Sequence, residues 1–169
     1  MTARRILYRL VIVFVAAVLQ VVVVNRLPLP GGRPDLLVLV VVGIALASGA
    51  ERGAMFGFFA GFVADVLPPA GHIAGRLAFA YTVVGYLAGL ADDPEETSVL
   101  TTILVVAGGS AAVVLVYSGL GALLGDVRVT AHSTVHSLVF TVVYDVVLAP
   151  FVVPFVSAVA RRLEPVGAR

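Results

Sequence analysis

The 169-residue sequence contains no cysteine, no tryptophan and no lysine, and charged residues make up only 12% of it. The absence of cysteine excludes disulfides, thiolate catalysis and cysteine-ligated metal sites. A net charge of +1 argues against nucleic-acid binding, which needs a basic face. The sequence also has no P-loop, dinucleotide fingerprint, nucleophile elbow or paired-carboxylate constellation, so neither an enzyme nor a cofactor is expected.

Apolar residues are abundant: they make up 60% of the chain, and the mean hydropathy is +1.10. This composition lies outside the range of soluble domains and predicts an all-α, polytopic membrane protein with a single integral membrane domain over residues 1–169. Apolar runs bounded by charge, proline or glycine predict about six spans. These cover residues 6–24, 35–49, 53–67, 76–91, 98–123 and 132–158. The first run is too long for a signal peptide and predicts an uncleaved span.

Arginine placement predicts the orientation. If both termini lie on one side, seven arginines share that side and four lie on the other. The seven are Arg4, Arg5, Arg9, Arg52, Arg161, Arg162 and Arg169, and the four are Arg26, Arg33, Arg76 and Arg128. The positive-inside rule then predicts cytoplasmic termini.

Two acidic turns resemble helix starts. In "GGRPDLL", Gly31 and Gly32 turn the chain, and Asp35 lies where a negative charge favours the helix dipole. In "ADDPEET", Asp93 is a good N-cap and Glu96 follows three residues later, as in a capping box that starts the fifth span. The alternative for this second turn is an acidic landing site for a cytoplasmic partner.

The stretch "GAMFGFFAGFVADV" places Gly53, Gly57, Gly61 and Asp65 four residues apart, on one face of a helix. Such a small-residue stripe predicts close packing against another helix, from this chain or from a partner. Asp65 is expected to avoid lipid. It is either a helix-end carboxylate bonded to loop amides or to Arg76, or a contact for a ligand or partner.

The last predicted span carries a polar stripe with the same spacing, which is expected to face inward because a carboxylate in a span cannot face bare lipid. Its members are Ser133, Ser137, Thr141 and Asp145. Pro150 and Pro154 are expected to kink or break the end of this helix. His132 and His136 have metal-ligand spacing, but no third ligand is evident, so no metal site is expected.

The block from residue 33 to residue 90 resembles the rod shape-determining protein MreD family. The family pattern opens its second span with R-P-D-L-L, here Arg33, Pro34 and Asp35 with the following leucines. It continues as G-x-x-x-G-F-x-x-G-x-x-x-D through the glycine stripe to Asp65, and a later span ends near G-Y-L-x-G, here residues 85–89.

The resemblance implies a component of the bacterial cytoplasmic membrane that associates with an MreC-like membrane protein. Through it the protein would act with MreB, RodA and a penicillin-binding transpeptidase in lateral peptidoglycan synthesis. It also implies a fold similar to the substrate-binding subunits of energy-coupling-factor transporters.

Two functions fit these features. The first is a non-enzymatic scaffold of the cell-elongation complex, in contact with membrane lipid and with a homodimer as a further option. The second is a small-molecule or lipid-binding membrane subunit, comparable to a vitamin-capture component. Its expected cavity residues are Asp65, Arg76, Thr141, Tyr144 and Asp145. A proton-coupled transporter is a distant third interpretation, because the polar residues form no evident relay.

Overall fold

The computed structural model describes residues 3–67, 75–91 and 98–162, and this part of the chain is helical without any strand. Its six α-helices are α1 (Ala3–Val22), α2 (Leu36–Ser48), α3 (Ala50–Val66), α4 (Arg76–Leu90), α5 (Val99–Leu123) and α6 (Ala131–Arg162). A short 3-10 turn, Val24–Arg26, follows α1. The acidic turn with Asp93 and Glu96 lies outside the described residues, and the hydroxyl of Ser98 caps α5 by accepting from the Thr101 amide.

Each predicted span overlaps one helix, with bounds that differ by a few residues. Three segments are long and apolar enough to cross a membrane: Ile6–Arg26, Val99–Leu123 and Ala131–Arg162. The other three helices have 13, 17 and 15 residues, fewer than the roughly 20 needed to cross about 30 Å of hydrocarbon. The all-helical prediction is therefore confirmed for the described residues, and the three long apolar helices fit a membrane protein, while the count of six spans stays a prediction.

Helix α2 forms the centre of the bundle and contacts all five other helices. Residues 37–46 are buried without exception. A helix that is apolar on every side suits both a protein interior and lipid, and here the five helices packed around α2 place it in the interior. The central helix is also the shortest, at about 20 Å for 13 residues with a rise of about 1.5 Å per residue.

Helices α3 and α4 pack antiparallel through their backbones. A Cβ added at Gly53, Gly57 or Gly61 would lie closer than 3.0 Å to the carbonyl oxygen of Gly85, Tyr81 or Leu77, respectively. Only glycine allows this approach, which maximises van der Waals contact where lipid supplies no hydrophobic drive. The α3 glycine stripe therefore contacts α4 of the same chain.

Helix α6 runs alongside α2 in the same direction. The hydroxyl of Ser157 donates to the Gly43 carbonyl at 2.9 Å, and Gly43 leaves room for Val156. The helix continues from Ala131 to Arg162 through Pro150 and Pro154. The expectation that these prolines break the helix is therefore wrong, because neighbouring helices and local adjustment can satisfy the backbone groups that a proline frees in a membrane helix.

Candidate functional site

A cavity of about 550 Å³ lies at the end of the bundle where α2, α4 and α6 begin, which we call the polar end. The central helix α2 is short and does not reach as far toward this end as α5 and α6 do. The described helices therefore leave the centre of the bundle unfilled here, and the cavity forms. Its polar lining residues are Gln20, Asn25, Arg33, Asp35, Tyr81, Tyr117, Ser118, Asp126, Arg128, Ser133, Thr134, Ser137 and Thr141.

The first backbone amides of α2 are fully bonded at the cavity floor. Asp35 Oδ1 accepts from the Leu37 and Val38 amides at 3.1 and 3.2 Å. The Leu36 amide donates to Gln20 Oε1 at 2.9 Å. The Asp35 amide donates to Asp145 Oδ1 at 2.7 Å. Helix starts lack internal partners for these donors, and α1 and α6 supply the partners that a buried helix cannot obtain from water. The expected position of Asp35 at a helix start is confirmed.

Asp145 also connects α6 to α5. It is fully buried, and its Oδ2 accepts from the Ser110 hydroxyl at 2.6 Å. The Tyr81 hydroxyl donates to Asp35 Oδ2 at 2.5 Å, which ties α4 to the same cluster. Hydrogen bonds of this kind make a carboxylate tolerable within a membrane protein. Four helices therefore meet at the start of α2.

Asp65 performs a similar task for α4. Gly75 precedes α4 with φ of 98° and has no side chain to cap the helix. Asp65, buried at the end of α3, accepts from the amides of Gly75, Leu77 and Ala78 at 2.8, 3.3 and 3.1 Å. Asp65, at the end of the glycine stripe, thus caps the start of α4, and α4 is also the helix that the stripe contacts. This matches the loop-amide alternative for Asp65.

Arg76 is directed toward the α5–α6 connection. Its Nη1 lies 2.9 Å from Asp126 Oδ2, and its Nη2 donates to the Tyr117 carbonyl at 2.7 Å. The guanidinium carbon lies 3.9 Å from the centre of the Tyr117 ring. Asp126 also binds Arg128, at 3.0 Å from Nε. Hydrogen bonds from Arg128, and then from Arg76, lower the pKa of Asp126 below its ordinary value.

The polar stripe of α6 is buried at one end only. Asp145 is enclosed, Thr141 is half-buried, and Ser133 and Ser137 are exposed. Thr141 donates to the Arg33 carbonyl at 3.2 Å. The exposed turns of the stripe border the cavity, which Ser133, Ser137 and Thr141 line, and the inward orientation of the whole stripe stays a prediction.

The prediction that five polar residues together line one cavity is largely wrong. Of its five members, Thr141 lines the cavity, while Asp65, Arg76, Tyr144 and Asp145 are bonded within the surrounding wall. Tyr144, for example, donates to the Pro30 carbonyl at 2.9 Å. His132 and His136 stack with ring centroids 6.0 Å apart and are exposed. Within the described residues no group of three potential metal ligands occurs.

Sequence reasoning missed Gln20, Tyr81, Ser110 and Asp126. The first three are single polar residues in apolar runs, and helical periodicity predicts nothing about their distant partners. Asp126 had a usable signal, since "GDVR" places opposite charges two residues apart between two apolar runs. Its Oδ1 accepts from the backbone amide of Arg128 at 3.2 Å, a local turn bond.

No curated protein and no solved structure matches the chain, so the expected likeness to energy-coupling-factor subunits stays a prediction. Residues 3–163 match the rod shape-determining protein MreD. This range includes the R-P-D opening, the glycine stripe with its terminal aspartate, and every residue of the α2 and α4 caps described above. Because the match covers nearly the whole sequence, the chain belongs to the MreD family of rod shape-determining proteins.

Proposed function

We propose that this protein is a non-enzymatic scaffold of the bacterial cell-elongation complex that binds an MreC-like protein in the cytoplasmic membrane. Through that partner it would act with MreB, RodA and a penicillin-binding transpeptidase in lateral peptidoglycan synthesis.

We also infer that all six helices cross the membrane and that both termini are cytoplasmic. The antiparallel α3–α4 pair supports this inference, since the two helices run side by side in opposite directions.

One observation carries the scaffold proposal beyond the family membership. The half-buried carboxylate Asp35 and the buried carboxylates Asp65 and Asp145 all accept hydrogen bonds from amides at helix starts. Asp65 and Asp145, which the sequence analysis names as possible cavity residues, thus hold helices together. A polar group within a membrane protein is a functional candidate by default, and here the supported task is a rigid shape that a partner can bind.

The partner surface would lie outside the glycine stripe, which α4 occupies. The long helices α1, α5 and α6 offer apolar faces: in the most apolar part of each, only 22% of the residues are buried. Gly119 of α5 faces open space, with nothing within 4 Å of an added Cβ. A bulky residue there would change the outer surface without disturbing the interior.

Co-purification tests the scaffold proposal. The tagged chain should retain the MreC-like protein of the same bacterium in mild detergent, and cells depleted of the chain should lose rod shape. Gly119→Phe probes the outer face of α5, and Gly57→Ala serves as a misfolding control. Failure of the wild-type chain to retain the partner, together with normal shape after depletion, would contradict the proposal.

The cavity supports a second candidate function, a small-molecule or lipid-binding subunit. Its volume of about 550 Å³ lies within the roughly 300–1,000 Å³ of ordinary ligand sites. The expected likeness to energy-coupling-factor subunits belongs to this candidate. Native mass spectrometry of the purified protein tests it and also reports a homodimer. The candidate loses its support if no molecule is retained and Ser137→Leu, which adds bulk to the cavity lining, leaves cell shape normal.

A further inference from the structure

The carboxylates that line the cavity are engaged by protein donors. Asp35 accepts from two amides through one oxygen and from the Tyr81 hydroxyl through the other. Asp126 accepts from Arg128 through Oδ1 and from Arg76 through Oδ2. Two arginines share this one carboxylate, so the group retains an excess positive charge. A cationic ligand would therefore compete with existing bonds for every negative group on the cavity wall.

Several other polar side chains of the cavity lining are not engaged by the protein groups that the structure describes. Within the described residues, four polar side chains of the lining make no hydrogen bond or ion pair: Arg33, Ser118, Thr134 and Ser137. Arginine offers five N–H donors and no acceptor, and each hydroxyl can donate one hydrogen. Arg33 lies in the linker before α2, Ser118 on α5, and the other two on α6. Uncommitted donors therefore converge on the cavity from three segments.

We propose that this cavity binds a phosphate group, carried either by a soluble small molecule or by the head of an anionic phospholipid. The proposal rests on the second candidate function and names its ligand class. A phosphate presents several oxygens to a guanidinium fork and surrounding hydroxyls, and arginine binds it with two parallel hydrogen bonds. Bound phosphate would connect the linker before α2 to α5 and α6, and would stabilise the folded protein by mass action.

The test uses the full chain purified in a neutral detergent. Glycerol phosphate, with glycerol as its uncharged control, reports a soluble source through the shift in melting temperature. Dioleoylphosphatidylglycerol, with dioleoylglycerol as its phosphate-free control, reports a lipid source through native mass spectrometry. We expect one anionic probe to bind in preference to its control, and this preference identifies the source.

Variants locate the site. Arg33→Gln should weaken binding about tenfold or more, because a hydrogen bond to a charged group contributes about 1.5–3 kcal/mol. Ser137→Leu should weaken it by occupying space. Arg26→Gln is the matched control, since Arg26 is an exposed arginine of the same linker that does not line the cavity. Equal losses for Arg33→Gln and Arg26→Gln would overturn the assigned site.

The outcomes separate this proposal from the functions on which it rests. Retention of an uncharged or cationic molecule, without binding of either anionic probe, overturns the phosphate assignment and leaves the second candidate function standing. Absence of binding by any molecule overturns both. Neither result affects the scaffold proposal, which depends on co-purification of the MreC-like partner.

Discussion

Two stripes in this protein share one spacing and have different surroundings. Residues 53, 57, 61 and 65 of α3, and residues 133, 137, 141 and 145 of α6, each recur every four positions and end in an aspartate. The first stripe is buried along its whole length. The second is buried only at Asp145. Spacing fixes which residues share a helix face, but the neighbouring segments decide what that face contacts.

The difference follows from side-chain size and from helix length. Glycines let α4 approach along the entire α3 stripe, and no space remains for another molecule. The turns of α6 that carry the hydroxyl groups extend past the start of the shorter α2. Of this stripe, only Asp145 therefore reaches the central helix. The first stripe is therefore an internal packing surface, and the second borders a cavity that is open to a ligand.

The largest expected effect comes from breaking the α3–α4 contact. Gly57→Ala should destabilise the protein by about 3 kcal/mol, the upper part of the usual range for overpacking, because the new methyl group meets the rigid Tyr81 backbone. Gly108→Ala is the matched control on α5, where an added Cβ meets nothing within 4 Å. Melting temperatures in the same detergent should fall for the first variant only. Equal melting temperatures would show that α4 does not occupy the stripe.

The next effect concerns the aspartate at the end of the α3 stripe. Asp65→Ala leaves the α4 start amides without their acceptor, and a buried unsatisfied group costs about 1–3 kcal/mol. Asp65→Asn, which retains a carbonyl oxygen, should lose less. Hydrogen exchange should accelerate at Leu77 and Ala78 in the alanine variant. Glu51→Ala, an exposed position on the same helix, is the control. Unchanged exchange at these amides would contradict the capping role.

A smaller effect is expected where the aspartates of α2 and α6 meet. Tyr81→Phe removes one hydrogen bond to the Asp35 carboxylate while keeping the ring, and should cost about 1.5 kcal/mol. Tyr86→Phe, at an exposed ring on the same helix, should change stability little. Thermal unfolding of the two variants provides the comparison. A larger loss for Tyr86→Phe would place the stabilising contact elsewhere.

The smallest effect is a pH dependence at the cavity rim. The pKa of Asp126 is lowered in the folded protein, so its ionised form is favoured by folding. Its contribution is present above the unfolded value of about 4 and is lost as the pH falls below that value. Melting temperatures between pH 7 and pH 3 should decrease less for Asp126→Asn than for the wild type. An identical acid response would show that this carboxylate contributes nothing.

Much of the architecture could be predicted because it depends on local properties. Apolar runs located every helix to within a few residues, and Asp35 marked the start of α2. Residues that act across the fold could not be assigned in this way. The Asp145 carboxylate meets the Asp35 amide 110 positions away, and no periodic pattern in either segment identifies that partner. Arg76 was considered as a partner for Asp65, but its guanidinium contacts Asp126, 50 positions away.

The sequence by itself determined that this chain is helical, belongs in a membrane, and carries two faces of special composition, since transfer free energy and helical period are properties of short segments. Only the tertiary structure decided that α4 covers one face, that aspartates from neighbouring helices complete the starts of α2 and α4, and that a cavity remains above the central helix. Those outcomes depend on relative helix lengths and on close approach between backbones, which arise when all six helices are packed together.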